Sequence, residues 1–205
     1  MTSTFERLSQ LPDIFTATDA LLVTNIPRAQ FDNYMWRWKT AGLVRSLGKR
    51  SDVWFNLVKN PVISHERWET AVRRALPCAI SAGHGVLMRH GVSTQMAVTA
   101  YLIQPSLKPI AAVEGSQLQM RPRLWMRHLL QAGAIDNSRI LPELDSGAVI
   151  ADLLRYDRES LDTDDIDWDE LTQESLAIFD ALAADVALDF ERPRHQSRIR
   201  SQASN

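Results

Sequence analysis

The sequence predicts an α+β protein, and three observations carry that prediction. The first sixty residues alternate helix-like and strand-like segments, closing on a strand–turn–strand pattern. The middle holds a strongly strand-like run, Val98 to Ile103. The final third contains an amphipathic helix over residues 168–186, with Leu171, Ser175, Ile178, Leu182 and Val186 recurring at three or four residues.

Residues 4–10 read as a first helix and residues 17–23 as a second, with Thr18 as its N-cap and Ala20, Leu21 and Val23 inward. Pro27 suits the first turn of a third helix, where its missing N–H is not needed. That helix runs over residues 27–41. Phe31, Met35 and Trp38 form one apolar stripe, and Gly42 stops it. Residues 43–47 and 52–57 are strand-like, joined by the turn Gly48–Ser51. Helix, helix, tight turn, helix, hairpin is the order of a winged helix-turn-helix. The polar front of the third helix carries Arg28, Gln30, Asn33, Tyr34, Arg37 and Lys39. Arg, Asn and Gln are the side chains that make two-point contacts with base edges in the major groove. Arg45 on the following strand, with Lys49 and Arg50 at the turn, supplies phosphate contacts. Trp36 belongs at the flank, against the wing.

A second unit spans residues 61–190. Ser64 caps a helix over residues 65–76, which Pro77 ends. Residues 78–95 read as a short helix broken by glycines, and 110–113 as a further strand. Leu124 to Leu130 fits a strand or a helix. A helix begins near Gly147, and Asp167 or Asp169 caps the last one. Residues 191–205 are polar and basic and read as a disordered tail.

The net charge of −2 conceals an asymmetry. Residues 1–60 carry +3, residues 61–127 carry +5, residues 128–190 carry −13 and the tail +3. The basic part suits a polyanion, to which Arg73, Arg74, Arg121 and Arg123 extend the surface. The acidic part faces solvent or a basic partner. No apolar run spans a bilayer and no secretion signal is evident, so the expected location is cytoplasmic.

Catalytic motifs are sparse. HExxH, a phosphate loop and GxGxxG are absent, and no cofactor is expected. His84 and His90 precede glycines and read as residues beside the last carbonyls of a helix. Cys78, the only cysteine, reads as a buried structural thiol. Glu143, Asp145 and Asp152 are the candidates for a metal-dependent nuclease, but Lys108 is the last lysine, so no acid–lysine pair accompanies them.

The segment AISAGHGVLMRHGVSTQ, which follows the helix after the hairpin, resembles the AbiEi antitoxin family through Gly83, Leu87, His90, Gly91, Thr94 and Gln95. The N-terminal segment from Phe15 to Phe55 also looks like that family's first domain. The sequence departs from it at Val86, where alanine is usual, and at the wing, which reads SDVWF. The resemblance implies an antitoxin-type second unit and a winged-helix repressor that binds inverted repeats in double-stranded DNA, possibilities that include a dimer on its operator. It further implies a cognate nucleotidyltransferase-like toxin. A regulator without a toxin partner and a metal-dependent nuclease are the alternatives.

Overall fold

The protein is described from a computed structural model, which covers residues 3–49, 51–105, 113–186, 188 and 190. It is α+β, with eight α-helices and two sheets among these residues. No helix among them is long and apolar enough to cross a membrane.

The first helix, α1 (Thr4–Gln10), opens with a reciprocal cap between Ser3 and Glu6. Then follow β1 (Ile14–Thr16), α2 (Ala17–Thr24), α3 (Arg28–Thr40), β2 (Val44–Ser46) and β3 (Val53–Asn56). The three strands form an antiparallel sheet in the order β1-β3-β2. Three residues was too short a run for β1 to be read from the sequence. The cap of α2 is Thr16, not Thr18. Thr16 has Asp19 three residues on, and the pair exchanges bonds, Asp19 N donating to Thr16 Oγ1 at 3.2 Å and Thr16 N to Asp19 Oδ2 at 2.7 Å. Thr18 is followed at that spacing by Leu21, which cannot reciprocate. Asn25, at φ 52°, ends α2 in the left-handed region, and Pro27 caps α3 rather than occupying its first turn. Leu8, Phe15, Ala20, Phe31, Met35, Trp38 and Val44 form the core between helices and sheet.

Helix α4 (His65–Ala75), capped by Ser64 as expected, covers the other face of this sheet. Ile14, Leu47, Val53 and Phe55 share one apolar cluster with Val72, Leu76, Leu102 and Leu141. Arg67 fastens the join. Its Nη1 donates to the carbonyls of Asn60 and Val62, both at 2.7 Å, and its Nη2 to Asp13 Oδ1 at 2.6 Å and the Asn56 carbonyl at 3.0 Å.

The second sheet comprises β4 (Ile80–Ala82), β5 (Ala100–Pro105), β6 (Ser116–Arg121), β7 (Ile135–Asp136) and β8 (Glu143–Leu144), in the order β6-β5-β4-β8-β7. The expectation of a glycine-broken helix over 78–95 is corrected here. Residues 80–82 are a strand, and only α5 (His84–Arg89) is helical. Gly83 makes the change of direction at φ 72°, and a Cβ there would lie 2.7 Å from Tyr101 Cβ, so strand and helix meet where only glycine fits. The 124–130 segment is helical, as α6 (Arg123–Gln131), burying Trp125, Met126 and Leu129.

Helix α7 (Ser146–Tyr156) lies in the centre of this unit, with Ala148, Val149, Ile150, Ala151 and Leu153 fully buried. Helix α8 (Gln173–Asp185) packs on it and starts later than the sequence suggested. Thr172, neither Asp167 nor Asp169, is its cap, accepting from Ser175 N at 3.0 Å. Trp168 precedes the helix and packs against Phe179 and Phe190. The expected strand at 110–113 falls largely outside the described residues, as does the tail 191–205.

Candidate nucleic-acid interface

The third helix presents two unlike sides. Phe31, Met35 and Trp38 are buried, while Arg28, Gln30, Asn33, Arg37 and Lys39 are exposed. Asn33, Trp36, Arg37 and Thr40 recur at i, i+3, i+4 and i+7, so they share the outward stripe. Tyr34 differs from its expected neighbours. It is half-buried, 5.9 Å from the Trp38 ring, with the Arg7 guanidinium 4.8 Å above its own ring. It therefore sits at the edge of the core, with only part of its surface available to a ligand.

Trp36 is 67% exposed, a high value for so large an apolar surface. Together with Asp32, Lys39, Asp52 and Trp54 it borders a hollow of about 370 Å³ between α3 and the hairpin. Trp36 had been placed on this flank from the sequence. The acids Asp32 and Asp52 were not singled out, because charged residues on a helix front carry no periodic signal of their own.

The hairpin and the end of α3 bring three basic residues into one hollow. Lys39, Arg45 and Lys49 line a concavity of about 760 Å³ with Gly48 and Glu114. Ser46 Oγ donates to the Gly48 carbonyl at 2.8 Å and Ser51 N to the same carbonyl at 3.2 Å, which shapes the turn. Lys49 is exposed. Arg50 lies outside the described residues. Arg45 Nη2 donates to Glu114 Oε1 at 2.8 Å, in a pair whose side chains are 55% and 61% exposed. Such a pair is worth about 0–1 kcal/mol, so a phosphate oxygen can replace the carboxylate at little cost.

The second unit adds less basic surface than the sequence suggested. Arg121 is corrected outright: it is 3% exposed and bonded to Asp152 and Tyr101. Arg74 donates to the Ile14 carbonyl and Asp19, and Arg73 to the Pro77 carbonyl. Arg123 is exposed on α6.

The three acids considered for a nuclease are each engaged separately. Glu143, almost buried, accepts from Arg89 and from His90 Nε2 at 2.8 Å, with Arg139 at 3.6 Å. Asp145 caps α7 and accepts from Ser175 Oγ at 2.7 Å. Asp152 accepts from Arg121 and from Trp125 Nε1 at 2.7 Å. Among the described residues, no three His, Cys, Asp or Glu side chains are grouped to hold a metal ion. Cys78 is exposed, not buried, because it sits in the turn after Pro77, ahead of β4.

His90 does close α5, as its C-cap, but His84 opens that helix rather than ending one. His84 Nε2 is 3.3 Å from Ser160 Oγ, and burial lowers its pKa against the opposing pull of Asp157 and Asp165. The nearby residues Ser93, Thr94 and Gln95 hold Asp165. Its carboxylate accepts from both hydroxyls at 2.5 Å and from two backbone N–H groups at 3.0 Å. These bonds hold the Asp165 carboxyl below its ordinary pKa, the Ser93 and Thr94 hydroxyls contributing most. Gln95 Nε2 also donates to the Ser160 carbonyl at 2.8 Å. Thr94 and Gln95 thus fasten the acidic segment after α7 to the second sheet's loops.

The sequence matches no protein-family model, and no curated protein matches it significantly.

Proposed function

We propose that this protein is a DNA-binding regulator of the antitoxin type, whose residues 1–60 act as a winged helix-turn-helix on operator DNA. The observation that carries this reading is the outward face of α3 beside the hollow lined by Lys39, Arg45 and Lys49. An exposed helix with Asn33 and Arg37 on one stripe suits a major groove. A hairpin with an exposed lysine at its turn suits the adjoining backbone. The element order and the β1-β3-β2 sheet support the winged-helix reading. In this reading the protein represses its own operon and counteracts a nucleotidyltransferase-like toxin. The toxin part is supported by the resemblance of the 83–95 segment alone.

The test is fluorescence anisotropy of the full chain on the DNA upstream of its own gene, at several salt concentrations. A two-point base contact is worth about 1–3 kcal/mol. Asn33→Ala combined with Arg37→Ala is therefore expected to weaken binding by roughly 30-fold or more. Lys49→Gln is expected to reduce the slope of log affinity against log salt by about 1. Unchanged affinity in the double variant refutes the DNA reading. The antitoxin part is tested by co-expression with a nucleotidyltransferase encoded beside this gene. Growth arrest that this chain does not relieve refutes that part and leaves DNA reading standing.

A further inference from the structure

A second cleft, of about 640 Å³, adjoins the basic hollow, sharing Arg45, Ser46 and Glu114 with it, and lies where β2 and β3 meet α4, α5 and the segment entering β5. That volume is typical of small-molecule sites. Its lining sets apolar side chains such as Ile63, Trp68, Met88 and Val98 beside the charged Arg45, Arg89 and Glu114. Phe55 and Trp68 line it, and the indole is fixed by Nε1 donating to the Glu114 carbonyl at 3.1 Å. Met88 and Val98 form a rim that is 43% and 97% exposed.

The charged groups decide what fits. Arg45, Arg89 and Glu114 line the cleft. Arg45 is balanced there by its pair with Glu114. Arg89 is different, because its carboxylate partner, Glu143, is not in the lining. Arg89 bonds Glu143 through Nη2, while its Nη1 lies 3.7 Å from where a Cβ on the cleft residue Gly85 would stand. The cleft thus offers an apolar wall beside Arg89 Nη1, the same guanidinium holding Glu143, outside the lining, through Nη2.

We infer that this cleft binds a small organic anion with a flat apolar body. The body lies along Trp68, and the carboxylate or sulfonate end accepts from Arg89. One wall is β2, the strand that leads into the basic turn, and Leu47 O on that wall accepts from Glu114 N at 2.9 Å. An occupant therefore touches the strand that positions Lys49. The regulatory meaning of the site rests on the DNA-binding reading, whereas occupancy itself does not.

The experiment is calorimetric titration of the full chain, without DNA, with 1-naphthalenesulfonate and with the neutral 1-naphthalenemethanol. Saturable one-site binding of the sulfonate is expected, with the alcohol about tenfold weaker or more, the worth of one charge-assisted bond. Gly85→Leu is expected to abolish binding by filling the cleft. A Cβ there makes only ordinary contacts, with Ala97 Cβ at 3.5 Å and Arg89 Nη1 at 3.7 Å, and circular dichroism checks that the larger side chain leaves the fold intact. Val98→Glu, at an exposed position, places a negative charge on the rim and is expected to weaken the sulfonate selectively. No saturable binding, equal affinity for both compounds, or binding unchanged by both variants overturns the proposal. Since no DNA is present, none of these outcomes is confused with a failure of operator binding.

Discussion

Asp152→Ala is expected to destabilise the protein by about 3–5 kcal/mol, the range for breaking one side of a buried ion pair. The carboxylate is 1% exposed and accepts three bonds, from Arg121 Nε at 2.8 Å, Arg121 Nη2 at 2.7 Å and Trp125 Nε1 at 2.7 Å. Burial alone would lower the pKa of Arg121, but the bonds with Asp152 and Tyr101 more than offset it and hold the guanidinium above its ordinary range. With the acid gone, the guanidinium stays charged at any accessible pH. It is then left buried with Tyr101 Oη at 2.8 Å as its good remaining partner. A domain of this size has about 5–15 kcal/mol in hand, so a loss of about 3–5 kcal/mol is roughly a fifth of the total or more. Urea unfolding followed by tryptophan fluorescence measures it. Replacing both partners, as Asp152→Leu with Arg121→Met, is expected to recover much of the loss, since the unpaired charge dominates the penalty. A cost below about 1 kcal/mol for Asp152→Ala would refute the argument that burial makes this pair structural. If the variant instead kept its stability and lost a metal-dependent DNA cleavage, the acid would be catalytic.

The remaining predictions concern close packing and pH. Gly147→Ala sets a Cβ 2.0 Å from the Ser175 carbonyl oxygen, so α7 and α8 must separate, at about 1–3 kcal/mol or more, readable as a lowered melting temperature. Gly85→Ala, where a Cβ makes only ordinary contacts with Ala97 and Arg89, is expected to be neutral or to stabilise by up to about 1 kcal/mol in the same assay. Asp165 has a folded pKa below its unfolded value, so its contribution is present above about pH 4 and is lost as pH falls through the folded value. Asp165→Asn is expected to flatten stability against pH in that window. His84 also has a lowered pKa, and the unfolded chain takes up its proton first. Stability is therefore full above about pH 6.5 and declines below it, a decline that His84→Gln should remove.

Within the first sixty residues the three helices and the hairpin strands were legible because their signals are local, while the three-residue β1 was not. A three-residue apolar stripe, a stop glycine and a polar turn each act within a few positions of the chain. The cap of α2 was misread because two threonines stand two residues apart, and only reciprocity with Asp19 separates them. The 78–95 segment was illegible for a non-local reason. Its helix-like composition yields at residues 80–82 to pairing with β5 and β8, which are distant in sequence. Strand β6 was missed because Ser116, Gln117 and Gln119 break any apolar run, and its parallel pairing with β5 supplies what composition does not. At the candidate interface the basic residues were readable individually. The Arg45–Glu114 pair, which sets how Arg45 is held, links positions 69 apart and leaves no trace in either neighbourhood.

The acidic stretch after residue 127 looks from composition like a surface for a basic partner. The structure divides it. Glu143, Asp145, Asp152 and Asp165 are used internally, as an ion-pair hub, a helix cap, a buried counter-ion and a loop clasp. Glu159, Asp162, Asp164, Glu170 and Glu174 are exposed. These two groups act on a polyanion in different ways. A carboxylate already matched by arginine contributes little field at a distance, whereas exposed acids repel phosphate over about a Debye length, roughly 8 Å at physiological salt. On the proposed DNA-binding reading, the exposed acids disfavour the segment after α7 as the side a polyanion approaches and leave the unit bearing α3. On that reading the proposed face depends on where unmatched charge remains as much as on the basic residues themselves.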